Sequence, residues 1–488
     1  MLTPSAALPL PGSAPRLARV LLAIGLLVSV CFVFITQNTY DTGDSLNHYL
    51  YARYAPQHPL NLLHSWAKPL FTLVIMGPSQ LGYRALMLFQ CLLVAASAWL
   101  SYLVARGLRI PYAALAIVFC YAAPDYFHVQ FSGLTEPLFG LIVIGSVALA
   151  VYDRPAWSTA LASWLPFVRS EGFMLLGMWV LYLVWQRQWR ALPLVFLGYA
   201  VYSAVGAVVL GEPGWVFGQN AYPTVSQYGH GKRTQYLIGL LYLLGWVISV
   251  LVVLGGVNLL GRARHWALWR NRLFQAELLL IYGSAALFVT AHTIFWYYGL
   301  FASAGLTRVL TMLPPLLGVV ALRGLSYLTG LGRTPQAQRA IATGVAALAV
   351  VFLFTGLRMS LRWQRDFEAA GDLALARQAA AWYRQQPGTQ GQPVVLEHPA
   401  VGFALGVDVF DRQARPLAYE NKQLQLDRLP VGTMVFWDDW FSVVEGGLPA
   451  DVLTKNSHYR QRWAAKTLRH PHDPGDGYCE LIVFEKYR

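Results

Sequence analysis

Apolar and polar positions segregate into long blocks along the chain. Mainly apolar stretches lie at 17–36, 82–105, 110–124, 133–152, 156–169, 171–186, 191–210, 235–260, 275–294, 306–322 and 340–357. About 20 apolar residues in a helix cross the roughly 30 Å hydrocarbon layer, so the pattern predicts about eleven transmembrane helices. The two stretches flanking Arg169 and Glu171 are short and read as half-spans. The first stretch follows Arg16 and Arg19, lacks a small-residue cleavage site and runs straight into Thr36-Gln37-Asn38, which predicts a retained anchor. Residues 359–488 carry no further apolar block. There Asp372 to Gln385 has helical periodicity, while Pro393-Val-Val-Leu-Glu397, Gly432-Thr-Met-Val-Phe-Trp437 and Glu480-Leu-Ile-Val-Phe-Glu485 read as strands bounded by Gly and Pro. The expected fold is therefore an α-helical polytopic membrane domain over 1–358, followed by a soluble C-terminal α/β domain over 359–488.

Composition supports the membrane reading. Of the 488 residues 56% are apolar and only 12% charged, and the mean hydropathy is +0.43, which excludes an ordinary soluble globular chain. A net charge of +13 does not point to nucleic acid, because the basic residues form short clusters between apolar blocks rather than one basic face. They act as topology signals. With a cytoplasmic N-terminus, 14 of the 22 basic residues in 1–358 fall on the inner side, as the positive-inside rule requires. An odd number of spans then places 359–488 on the periplasmic side of an inner membrane, with outer loops at 37–81, 125–132, 211–234 and 295–305. Cys31, Cys91, Cys120 and Cys479 are scattered singly, which is neither a disulfide framework nor a metal-ligand spacing.

Only eight carboxylates occur in 1–358: Asp41, Asp44, Asp125, Glu136, Asp153, Glu171, Glu212 and Glu277. Ionisable groups near or inside a membrane are costly, so those that remain are functional candidates. All but Asp153 and Glu277 fall at the outer face. The stretch from Tyr40 to Tyr54 opens with a turn and continues as a short surface helix with an aromatic face. Asp44 at its start is either an N-cap that accepts backbone N–H groups or a general base that takes a proton from an acceptor hydroxyl. Lys68 precedes Pro69 at a predicted helix start, where a cation can bind phosphate together with the helix N-terminus or can simply snorkel to the interface. Thr135 suits an N-cap, with Glu136 and Pro137 in the first turn complementing the helix dipole. Asp125, His128 and Glu136 are also acceptor or metal candidates, with Mg or Mn as the cation. Arg169 and Glu171 can pair across their turn. Arg308 opens a span from outside and suits a phosphate clamp.

These features together, a first outer loop with Asp before a short aromatic helix, the Lys68-Pro69 step, the Thr135-Glu136-Pro137 helix start and about eleven spans, resemble the GT-C superfamily of polytopic glycosyltransferases. Protein O-mannosyltransferases and the bacterial aminoarabinose transferases of lipid A are members. The likeness spans residues 17 to about 325 in layout. It implies an inverting transfer of a sugar from a polyprenyl-phosphate carrier to an envelope lipid, glycan or protein. The resemblance gives Asp44 the role of base or acceptor ligand, with Asp41 as its neighbour, and Lys68 the contact with the donor phosphate. Arg308 and Arg169 are further donor-phosphate candidates, and Glu171 joins the acceptor or metal candidates. The chain departs from the family at Ser45, where a second acidic residue is common, so a metal-binding role does not carry over to that position. The tail around Phe436-Trp-Asp-Asp-Trp-Phe441 resembles the soluble outer domains of bacterial members. The rival expectation is a transporter or flippase of lipid-linked glycans, but its usual repeats and midplane sites have no counterpart in this sequence.

Overall fold

The computed structural model describes residues 14–219, 222–356, 359–388, 391–411 and 426–488; Arg358, at the expected end of the last span, lies outside them. The chain is a multi-pass helical membrane protein. Among the described residues, six helices are long and apolar enough to cross a bilayer: Pro15–Ile35, Tyr83–Gly107, Trp189–Val209, Gln235–Ala263, Arg272–Tyr298 and Pro335–Thr355. Along the first of these, Val20, Ile24, Leu27 and Phe34 are exposed, as a lipid-facing helix requires.

The remaining expected spans are shorter than the apolar pattern predicts. Glu136–Val151 and Gly172–Trp185 are apolar helices below full crossing length. The 110–124 stretch contains the seven-residue helix Leu115–Tyr121, followed by the separate helix Pro124–Val129. The 156–169 stretch divides into Pro155–Ala162 and the single turn Leu165–Phe167. The 306–322 stretch opens as the 3-10 segment Thr307–Met312 before Pro314–Thr329. Proline explains the divisions: Pro124, Pro155, Pro166 and Pro314 each stand at the start of an element, where a missing N–H costs nothing, but none can continue a preceding helix. A hydropathy count cannot see such breaks.

The tail builds a four-stranded sheet of order β1-β2-β4-β3, with β1 Val394–Leu396, β2 Met434–Asp438, β3 Tyr459–His470 and β4 Asp473–Lys486. β1 and β2 are parallel and the other pairs antiparallel. Successive side chains of β2 point to opposite faces, and both faces are covered. Val435 and Trp437 pack with Leu448 and Leu453, whereas Met434 and Phe436 join a core that includes helix Gly371–Gln385 and runs without a break into the membrane bundle. β3 escaped the sequence pattern because its largely exposed residues do not alternate cleanly.

Contacts made by the connector and by Phe403 help seat the tail on the bundle. The connector places Phe367 against Phe32, 4.9 Å between ring centroids, and its carbonyl accepts the Gln37 N–H at 2.8 Å. His128 Nε2 lies 2.8 Å from the Asp366 carbonyl oxygen, so His128 anchors the connector instead of meeting Glu136. Further on, Phe403 packs edge-on against both Tyr49 and Tyr83. The short helix Asp44–Arg53 is thereby held between bundle and tail.

Candidate functional site

The loop after the first helix reaches the site through a turn whose local chemistry separates its two aspartates. Helix Asp44–Arg53 has no side-chain cap at Gly43; the Ser45 N–H instead donates to Asp41 Oδ1 at 3.2 Å. Asp41 thus does the work of a cap, and Asp44 is released from it. Arg308 reaches both residues, Nη1 to Asp41 Oδ2 and Nη2 to Asp44 Oδ2, which leaves Asp44 Oδ1 without a donor among the described residues. Ser45 is fully buried and bonds Tyr83 Oη at 2.7 Å and the Thr39 carbonyl at 2.9 Å, while the Gly133 N–H donates to its Oγ. The approach is so close that a Cβ on Gly133 would meet the Ser45 carbonyl oxygen at 2.2 Å. Ser45 is a packing node, with no room there for a metal-binding acid.

Lys68 arrives from the second turn of the loop. It precedes Pro69, the first residue of helix Pro69–Gln80, with a φ of +67°. Proline bars the α conformation before it, and a left-handed non-glycine residue costs on the order of 1–3 kcal/mol, so the surrounding contacts must hold Lys68 in place. Its Nζ donates to the Ser65 carbonyl at 2.9 Å and to Ser170 Oγ at 2.8 Å and lies 4.7 Å from the centre of the Tyr222 ring. No carboxylate pairs with Lys68 among the described residues. Burial lowers its pKa, partly offset by Glu171, to about 8.

Arg169 has the opposite circumstance. Nη1 meets Glu136 Oε1 and Nη2 meets Glu171 Oε1, each at 2.7 Å, and Nη1 also donates to Thr135 Oγ1 at 2.9 Å. Thr135 therefore makes no side-chain cap for helix Glu136–Val151; its hydroxyl belongs to this ionic cluster. Burial pushes the Glu171 carboxyl up, but Arg169 and His292 outweigh it and hold it at about 2. Both glutamates hold Arg169 through Nη1 and Nη2, and its buried Nε has no partner among the described residues.

Asp41, Asp44, Lys68, Glu136, Arg169, Glu171 and Arg308 all line one cavity of about 1120 Å³. Asp44 keeps 45% of its side chain accessible and lines that cavity. Burial by the surrounding protein, countered by Arg308 and reinforced by Asp41 and Glu136, raises its pKa to about 6. His48 lines the same space, stacked on Trp66 at 4.7 Å, and is kept neutral by burial and by Lys68, which lower its pKa to about 3. Asp125 and His128 are not brought to the cavity. Among the described residues no group of three or more His, Cys, Asp or Glu is arranged to hold a metal ion. The carboxylates of the membrane part that line the cavity face guanidinium groups, Asp41 and Asp44 that of Arg308 and Glu136 and Glu171 that of Arg169.

Sequence reasoning missed one wall of the cavity altogether. Asp372, His398, Asp438, Trp440, Phe441 and Glu445 line it from the tail, and Tyr228 Oη, from the 211–234 loop, donates to Glu445 Oε1 at 2.6 Å. The only available signal was the Phe436–Phe441 segment, which stands out in sequence without indicating where it points.

No protein-family profile matches the chain, and no curated protein matches it either. Solved structures do. ArnT from Cupriavidus metallidurans in the apo state superposes at a TM-score of 0.62 and 12% identity, covering 97% of this chain and 98% of its own. The same protein bound to undecaprenyl phosphate gives 0.60 at the same identity and coverage. The oligosaccharyltransferase of Archaeoglobus fulgidus, tethered through a disulfide to an acceptor peptide containing the NVT sequon, gives 0.51 at 11% identity, over 86% of this chain and 69% of its own. Bundle and tail alike are included in the ArnT superposition, so the chain shares that fold along nearly its whole length.

Proposed function

We propose that the protein is an inverting glycosyltransferase that moves a sugar from a polyprenyl-phosphate carrier to a hydroxyl-bearing acceptor at the periplasmic face of an inner membrane. The observation that carries this reading is the presence, in one cavity, of an aspartate bonded through only one carboxylate oxygen and a buried lysine with no carboxylate partner among the described residues. Asp44 presents an oxygen free to receive a proton, and Lys68 keeps its charge for an anion. ArnT, which shares the fold, was solved with undecaprenyl phosphate bound, and a lipid-borne donor suits a face that cytosolic nucleotide sugars do not reach.

In the proposed step the acceptor oxygen attacks the anomeric carbon as its proton passes to Asp44. The bond from that carbon to the phosphate oxygen breaks on the opposite side, and polyprenyl phosphate departs with the electron pair. Charge growing on the phosphate is offset by Lys68 through preorganised electrostatics, and Arg308 holds the Asp44 carboxylate in register for attack. No step is routed through a metal ion. The membrane domain keeps eleven passages in this reading, with the short helices completing the bundle between the six long ones.

The test is to incubate purified full-length protein with undecaprenyl-phosphate glucose, mannose and aminoarabinose, with and without EDTA or added Mg and Mn, and to follow undecaprenyl phosphate release and sugar transfer by mass spectrometry. Transfer from any donor supports the reading. Translocation of a lipid-linked sugar across liposomes with no transfer would select the flippase instead.

A further inference from the structure

Thr42 and Gly43, the two residues between Asp41 and Asp44, are held by the tail. Thr42 Oγ1 donates to Asp372 Oδ2, a carboxylate that can only accept. The same oxygen lies 3.2 Å from His398 Nε2. His398 Nδ1 accepts the Ala400 N–H at 3.1 Å, so Nε2 carries the ring proton and donates to Asp372. Gly43 lies against Phe441 so closely that a Cβ would stand 2.7 Å from its Cζ. Phe441 in turn packs on His398, 4.4 Å between ring centroids. The turn that carries Phe441 is tied by Asp438, 4% exposed, which accepts the Trp440 N–H at 3.0 Å and the Ser442 N–H at 3.1 Å. The start of helix Gly371–Gln385, the residue before helix Pro399–Leu405 and the end of β2 thus converge on two consecutive residues of the loop after the first helix.

We propose that the tail is a positioning element for the reaction: Asp372 and Phe441, acting through Thr42 and Gly43, fix the 41–44 turn so that the Asp44 carboxylate stands at the acceptor hydroxyl. The inference rests on the general-base role of Asp44. Its physical basis is that the local side-chain bonds of the turn, from Thr39 Oγ1 to the Asp41 carbonyl at 3.0 Å and from the Ser45 N–H to Asp41 Oδ1 at 3.2 Å, fix Asp41, whereas the side chain of Thr42 and the open face of Gly43 are held from the tail. Misplacement of a catalytic group by about 1 Å can cost on the order of 10²-fold in rate. Asp372 and Phe441 are positioning residues in this scheme, since they act through the turn.

Thr42→Val keeps the side-chain shape and removes the donor, whereas Thr42→Ser keeps the donor. In the full-length protein, with the undecaprenyl-phosphate sugar found to be transferred, Thr42→Val and Asp372→Asn should lower kcat by about 10- to 100-fold. Donor KM should stay unchanged, because the Lys68 end of the cavity is untouched, and Thr42→Ser should retain most activity. In an Asp44→Asn background Thr42→Val should cost nothing more, the non-additivity expected of residues that act through one group. Hydrogen–deuterium exchange needs no substrate, and it should speed up over residues 40–46 in Thr42→Val while the rest of the bundle stays protected. Normal kcat and unchanged exchange in folded Thr42→Val would overturn the inference, and Thr42→Val decides the matter if Asp372→Asn fails to fold. Normal turnover by Asp44→Asn is a different failure, which removes the general-base reading itself. Loss by Asp44→Asn with normal turnover by Thr42→Val removes only the positioning role.

Discussion

Arg308 donates to Asp44 across 264 positions of sequence, joining the loop after the first helix to the segment that opens a late helix. The same guanidinium holds Asp41, and its side chain is only 12% exposed. A buried fork of this kind fixes carboxylate direction as well as charge. It also assigns the two aspartates different work, since Asp41 additionally closes the helix start through Ser45.

That division makes Asp44→Asn a clean test. Asn suits a helix start as well as Asp does, and the start is closed by Asp41 in any case, so the variant should fold normally. Removing a general base should lower turnover by about 10² to 10⁴. Sugar transfer in detergent or liposomes, beside a thermal-shift measurement, reads both quantities. Near-normal turnover would move the base elsewhere, to Asp41 first and Glu136 second.

A second expectation concerns pH. Asp44 must be ionised to accept a proton, and burial raises its pKa to about 6, so kcat/KM should rise through about pH 6 as the carboxyl deprotonates. Lys68 must be protonated to hold phosphate, and burial lowers its pKa to about 8, so kcat/KM should fall through about pH 8. The result is a bell reporting the free enzyme. A bound phosphate favours the ammonium form, so the alkaline limb of kcat should lie above that of kcat/KM. Lys68→Arg, whose charge does not titrate in this range, should flatten the alkaline limb even where it weakens binding. A pH profile with no acidic limb would argue against Asp44.

Topology supplies a third expectation, because every assignment of a face depends on it. Reporters fused after Arg358 or Arg488 should behave as periplasmic, and reporters at Arg190 or Arg264 as cytoplasmic. A cytoplasmic tail would place Asp44 on the wrong side for a lipid-borne donor.

The residues of the membrane part were legible in sequence because charge there is scarce. Asp44, Lys68, Glu136, Arg169 and Arg308 each stood out against an apolar background, and the structure brings them to one cavity. Roles were harder to read than positions. The Thr135-Glu136-Pro137 start looked like a cap, but Arg169 lies 34 positions away in sequence and takes the Thr135 hydroxyl, which no local pattern reports. Asp125 and His128 looked equivalent to Glu136, yet His128 turns to the Asp366 carbonyl, a partner 238 positions on. Asp372 and His398 were invisible because the tail is rich in charge and scarcity gives no signal there. The divisions within the 110–124, 156–169 and 306–322 stretches were not legible for a simpler reason: hydropathy measures apolar length and is blind to a proline that divides it.

The last prediction concerns the other buried ionic cluster, which does not line the main cavity. Glu277, 1% exposed, receives Arg262 through both oxygens at 2.9 and 2.8 Å and Arg323 through both at 2.7 and 2.8 Å. It ties helix Gln235–Ala263 to helix Pro314–Thr329 through the π-helical segment Glu277–Gly283. Glu277→Gln leaves two largely buried guanidinium groups without a counter-charge, and breaking a buried ion cluster in this way costs about 3–5 kcal/mol. Replacing the whole cluster by apolar side chains, as in Glu277→Leu with Arg262→Met and Arg323→Met, removes the uncompensated charge along with the attraction and should recover most of that loss. Thermal unfolding in detergent should therefore rank the triple variant well above the single one. Both variants should keep near-normal kcat in the folded fraction, since the cluster contributes nothing to the Asp44–Lys68 cavity. A large fall in kcat at unchanged stability would mean instead that the two clusters are coupled through helix Pro314–Thr329, whose first turn follows the segment bearing Arg308.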